Sequence, residues 1–104
     1  MQINEFQEKV RKLSGKIDII MDMEWDGFQI FIDMVEEVGE IAEVIKCIEG
    51  LKKKKTYGKK ELAKEMADVL YSLCNVANYY GVDLEKAVEK MLHEYEDRIS
   101  KKEF

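Results

Sequence analysis

The segment MVEEVGEIAEVIKC, residues 34–47, sets Glu36, Glu37 and Glu40 within five positions of an otherwise apolar stretch. Carboxylates this close on a helix repel one another. A helix turns about 100° per residue, so faces follow from arithmetic. The direction of Glu37 falls between those of Val44 and Ile48, about 20° from each, and Glu40 lies about 60° further round. Glu37 therefore sits within an apolar flank and Glu40 at its edge. Glu36 points roughly opposite the centre of the arc formed by Phe31, Met34, Val35, Val38, Ile41, Ala42 and Ile45. A second acidic pair, Glu65 and Asp68, is spaced i, i+3 in EMAD, and no charge follows from Val69 to Val82. Two neighbouring helices that each aim an acidic pair at one cleft would repel and desolvate their carboxylates. A hard divalent cation resolves both problems. Mg²⁺ takes oxygen ligands and is held by carboxylates together with substrate phosphates. A lone EExxE is more often a solvated face; the second pair changes that balance.

The rival chemistry is a di-iron bundle, which normally uses two Glu-x-x-His pairs. His93 is the single histidine, so Mg²⁺, with Mn²⁺ as the alternative, is expected over iron. The two cysteines, Cys47 and Cys74, are far apart and form no CxxC pair. They read as small side chains of a reducing cytoplasm, and a zinc site is not expected.

The elements that must position these acids are helical. Ile3, Phe6, Val10, Leu13, Ile17 and Ile20 step by three and four, which predicts a first helix over residues 2–25. Trp25-Asp26-Gly27 breaks it. A second helix runs from about Phe28 to Ile48, with Gly50 as its stop. The loop GLKKKKTYGKK holds six lysines: either a solvated turn or an electrostatic attractor for nucleotides. A third helix starts near Lys60 and ends before Gly81, with Leu62, Met66, Leu70, Leu73 and Ala77 as its core face. Asp83 is a good N-cap for a fourth, which carries Leu84, Val88, Met91, Tyr95 and Ile99 on one face. No stretch alternates long enough for a strand. The expected architecture is all-α, a single domain over residues 1–104, built as an antiparallel four-helix bundle. So small a bundle buries a modest core, and the second helix is apolar round much of its circumference. A homodimer or homotetramer is expected.

Composition narrows the classes further. Apolar residues make up 46% and charged residues 38%, as in soluble globular chains. No apolar run approaches the roughly 20 residues of a membrane span, and the N-terminus lacks a signal-peptide layout. A formal net charge of −5 argues against duplex nucleic acid as a direct partner.

Together, EEVGE (Glu36 to Glu40) and EMAD (Glu65 to Asp68) resemble the EExxE…ExxD signature of MazG-like nucleotide pyrophosphohydrolases, of the all-α NTP pyrophosphatase superfamily. The resemblance runs through ELAKEMADVLYSLCNVANYYGVDLEKAVEKM and covers roughly residues 25–98. It implies hydrolysis of a nucleoside triphosphate to the monophosphate and pyrophosphate, as in nucleotide-pool house-cleaning. Glu37, Glu40, Glu65 and Asp68 match the metal ligands. Glu36 matches the additional acid, a candidate to orient or deprotonate the attacking water. Asn75 and Asn78 fall where relatives carry polar residues facing the nucleotide, and Lys90 and Arg98 match phosphate contacts. Trp25 matches an aromatic that stacks on a base, with Phe28 and Phe31 as further candidates. The segment KMLHEYEDRIS departs from the family pattern at Tyr95 and Asp97. That departure keeps open a non-catalytic nucleotide- or partner-binding module of the same fold, and a purely structural helical oligomer is the third reading.

Overall fold

The computed structural model describes residues 1–51 and 57–104. Most of the lysine run, residues 52–56, lies outside them. Four α-helices follow in order: α1 Ile3–Met21, α2 Gly27–Ile48, α3 Lys59–Tyr79 and α4 Leu84–Ser100. The all-α expectation holds, with α2 and α3 beginning one residue earlier than the pattern suggested. The first helix ends earlier than its apolar steps imply. Asp22 adopts a left-handed conformation (φ 50°) at the C-cap, a region that aspartate tolerates better than most residues. That reversal sends Met23–Asp26 across to α2.

The other boundaries have local causes. The side chain of Asp26 accepts from the backbone N–H of Gln29, whose side chain accepts from the Asp26 backbone N–H in return. Two orphan donors are satisfied at once. Asp83 caps α4 by accepting from Lys86 N–H at 3.1 Å. Gly50 and Gly81 follow α2 and α3 with φ of 77° and 67°, values that glycine takes without a Cβ penalty.

Helices α2 and α3 pack together along their length, α1 lies against α3, and α4 rests on α1. The assembly is open. Its radius of gyration is 16.9 Å, against about 13 Å for a compact chain of this size. The buried apolar side chains among the described residues are Val10, Val44, Cys74 and Ala77. Helix α4 buries no residue. The apolar arcs expected to form the core are largely outward. Phe31, Val35, Val38 and Ile45 of α2, and Met66, Leu70 and Leu73 of α3, are all exposed. What faces the α2–α3 interface is the flank instead: Val44, beside which Glu37 projects, and Ser72 on the stripe of Asp68. No helix among the described residues is long and apolar enough to cross a membrane.

Two contacts fix the frame. Gly27 is buried because Tyr79 and Tyr80 at the end of α3 occupy the space a side chain would need. A Cβ there would stand 2.7 Å from Tyr79 Cε1 and closer still to the Tyr80 hydroxyl. Gln7 clasps α1 to the α3–α4 turn. Its amide donates to Asn78 Oδ1 at 3.0 Å and to the Val82 carbonyl at 2.7 Å. It also accepts from Leu84 N–H at 3.1 Å, while Asn78 Nδ2 donates back to the Gln7 carbonyl at 3.2 Å.

Candidate active site

The α2–α3 interface gathers the acids. Glu37, Glu65 and Asp68 each bring a carboxylate oxygen to within 4.8 Å of the others. A side-chain hydrogen bond with Glu40, one turn on from Glu37, holds the Glu65 carboxyl above its ordinary range. Burial and the charge of Glu40 add to that shift, and Lys64 opposes it. Glu37 is raised chiefly by burial, then by the charges of Glu40, Asp68, Asp33 and Glu65. Glu65 Oε2 is buried with no hydrogen-bond partner. The cluster carboxylates around it are acceptors like itself, so it calls for a proton, an outside donor or a cation.

The cation on hand is Lys64. Its ammonium lies 3.3 Å from Asp68 Oδ2 and 3.8 Å from Glu65 Oε1, and those carboxylates raise its pKa. The Lys64 side chain is 72% exposed, so it screens the cluster from the rim and does not fill it. An orphaned carboxylate oxygen among converging hard-oxygen donors fits a divalent ion.

Asp33 belongs beside these residues and is absent from the sequence reading. It lies one turn before Glu37 on the same face of α2 and raises the Glu37 carboxyl. It accepts a long hydrogen bond from Ser72 Oγ at 3.5 Å. Its i, i+4 relation to Glu37 is the signal that could have found it. Lys64 stands in the same relation to Asp68.

Next to the cluster is a cavity of about 310 Å³ between the end of α1, Trp25, α2 and α3. Trp25, Asp33, Tyr71 and Asn75 line it with Ile17 and Met21. Asn75 makes no side-chain hydrogen bond to another described residue, and Tyr71 keeps a buried hydroxyl without a partner. A shallower cleft adjoins it, where Glu36 is grouped with Trp25, Phe28 and Asp33. The fold thus carries Trp25 and Asn75 to one cavity, and places Glu36 at the adjoining mouth, outside the acidic trio.

The remaining candidates lie elsewhere. Asn78 spends its amide on Gln7 in the α1 clasp. Lys90 pairs with Glu94 at 4.0 Å along α4. Arg98 sits 4.1 Å from the centre of the Phe104 ring and donates to the Glu103 carbonyl. Helix α4 rests on α1, and the partners of both cations lie on α4 and the C-terminal residues after it.

Residues 29–102 match the MazG nucleotide pyrophosphohydrolase domain. The chain belongs to the MazG family. Its MazG match spans α2 through α4 and includes every acid of the cluster. The chain is 35% identical over 75 residues to the uncharacterized protein YpjD of Bacillus subtilis (strain 168), covering 67% of this chain and 68% of YpjD. The crystal structure of iMazG from Vibrio DAT 722 superposes with a TM-score of 0.60 at 29% identity, covering 96% of this chain and 97% of that one.

Proposed function

We propose that the protein is a Mg²⁺-dependent nucleoside triphosphate pyrophosphohydrolase that releases pyrophosphate and leaves the monophosphate, with Mn²⁺ as an alternative ion. The observation that carries this reading is the convergence of Glu37, Glu65 and Asp68 around an orphaned Glu65 oxygen, in a chain of the MazG family. Glu37, Glu40, Glu65 and Asp68 would hold the ion, which supplies charge neutralisation for phosphate oxygens and a Lewis acid for water.

The chain's own groups do the rest. A bound cation would take the place of the proton that holds the Glu65 carboxyl above its ordinary range. Lys64, freed from Asp68, turns its ammonium to a phosphate oxygen at the rim. Glu36, at the mouth beside Asp33, orients the attacking water and takes its proton. Trp25 offers a ring for the base to stack on. The outward apolar faces of α2 and α3 are covered by further copies in a cytoplasmic homodimer or homotetramer.

Phosphate release, measured with added inorganic pyrophosphatase across a panel of ribo- and deoxyribonucleoside triphosphates and Mg²⁺, tests the activity. Release from at least one nucleotide is expected; silence across the panel defeats it. The second reading is a nucleotide-binding module without turnover. Its supporting observation is that Arg98 is engaged by Phe104 and Glu103 of its own C-terminus.

A further inference from the structure

The acids come with a cation of the chain's own. The Lys64 ammonium lies 3.3 Å from Asp68 Oδ2 and 3.8 Å from Glu65 Oε1, so it spans two of the three carboxylates that converge between α2 and α3. Among the described residues it is the one cation paired with these acids. The other ion pairs join Glu8, Glu43, Glu94 and Asp97.

The pairing is built to be released. On a helix the favourable order puts the acid four residues before the base, and Lys64 precedes Asp68. The Lys64 side chain is 72% exposed and that of Asp68 42%, a setting in which ion pairs contribute little. The oxygen most in need of a partner is also left alone. Lys64 meets Glu65 Oε1, while Glu65 Oε2 is buried without a hydrogen-bond partner. The ammonium thus offsets the charge of the cluster and does not complete it. A divalent ion drawn to the same carboxylates would be repelled by it, since two cations would share one set of oxygens.

We propose that Lys64 is a resident counter-ion of the cluster: its ammonium neutralises Asp68 and Glu65 in the metal-free protein and competes with the divalent ion for them. The side chain therefore sets the ion concentration at which the acids fill. This inference rests on the divalent-cation part of the reading above and is independent of turnover.

The experiment measures Mn²⁺ binding by calorimetry, and melting in EDTA and in saturating Mg²⁺, for the wild type, Lys64→Gln, Lys64→Arg and Lys60→Gln. Lys60 stands one turn earlier on the same side of α3 and pairs with none of these acids among the described residues. Lys64→Gln is expected to bind Mn²⁺ at least about threefold tighter, the scale of an exposed ion pair. In EDTA it should melt about 2–4 °C lower, and saturating Mg²⁺ should close that gap. Lys64→Arg keeps a cation and should stay near wild type in both readouts. Lys60→Gln should change Mn²⁺ affinity clearly less than Lys64→Gln. Affinity unchanged or weakened in Lys64→Gln overturns the proposal. So does equal tightening in Lys60→Gln, which would mark a diffuse field effect, or a melting loss that Mg²⁺ leaves in place, which would mark a structural ion pair. If Mn²⁺ binds and no nucleotide is hydrolysed, the activity falls and the four isotherms still decide the role of Lys64. If Mn²⁺ binds to none of the four proteins, the cation site falls and this inference with it.

Discussion

The Gln7 clasp and the acidic cluster both join helices in this fold, and they are built in opposite ways. The Gln7 clasp is balanced: amides and backbone groups of α1, α3 and the α4 start donate and accept in turn. The α2–α3 cluster is one-sided, with four carboxylates and a single rim lysine. A balanced set needs nothing further and ties the chain together. A set of acceptors alone leaves Glu65 Oε2 orphaned and keeps protons on Glu37 and Glu65 beyond the ordinary range. The contrast separates a structural polar contact from a candidate binding site more sharply than burial does, because both contacts are only partly buried.

The largest effect expected from breaking this contrast is on turnover. Asp68→Asn keeps the shape of the cluster and removes a charge. Steady-state pyrophosphate release should fall at least about a hundredfold, since changes even to the groups supporting metal ligands cost 10–100-fold. Its melting temperature without metal should hold or rise, as repulsion is relieved. An active Asp68→Asn enzyme would remove Asp68 from the site.

The balanced contact should behave the other way. Gln7→Ala strands Asn78 Oδ1, the Val82 carbonyl and the Leu84 N–H, and should cost about 1–3 kcal/mol in urea unfolding. The melting shift induced by Mg²⁺ should stay as in the wild type. Gly27→Ala tests the frame by a different route. Its methyl meets Tyr79 and Tyr80, and overpacking of that kind costs about 1–3 kcal/mol. Unfolding midpoints equal to wild type for both variants would show that these contacts do not hold the helices.

The smallest effect is a pH slope. Glu37 and Glu65 bind protons more tightly folded than unfolded. Metal-free stability therefore falls as pH rises from the ordinary carboxylate value of 4.5 through their raised folded values. Melting in EDTA should be higher just above pH 4.5 than at pH 7, against the usual trend for paired carboxylates. Saturating Mg²⁺ should flatten that slope. A metal-free protein that gains stability toward pH 7 would mean its carboxylates do not repel.

Much of the candidate acidic cluster was legible because like charges at i, i+3 fix a face. Glu37 and Glu40, then Glu65 and Asp68, could be placed before any coordinates. Asp33 was not, although its i, i+4 spacing to Glu37 was there to be read; its hydrogen bond from Ser72 on α3 appears only in the fold. The helices were legible from periodicity, but their packing less so. Periodicity says which residues share a face and not which face meets the same chain. Hence Val35, Val38, Met66 and Leu70 look like core and stand outward, while the mixed flank forms the α2–α3 contact. The end of α1 was hidden by the apolar steps of Ile17 and Ile20, which continue toward Trp25 while Asp22 turns the chain.

The most direct measurement is calorimetric titration of Mn²⁺ into the metal-free protein and into Asp68→Asn. Saturable binding to the wild type, lost or weakened at least about tenfold in the variant, is the predicted result. Heats indistinguishable from dilution, or the same isotherm for both proteins, would contradict the claim that these carboxylates form a divalent-cation site.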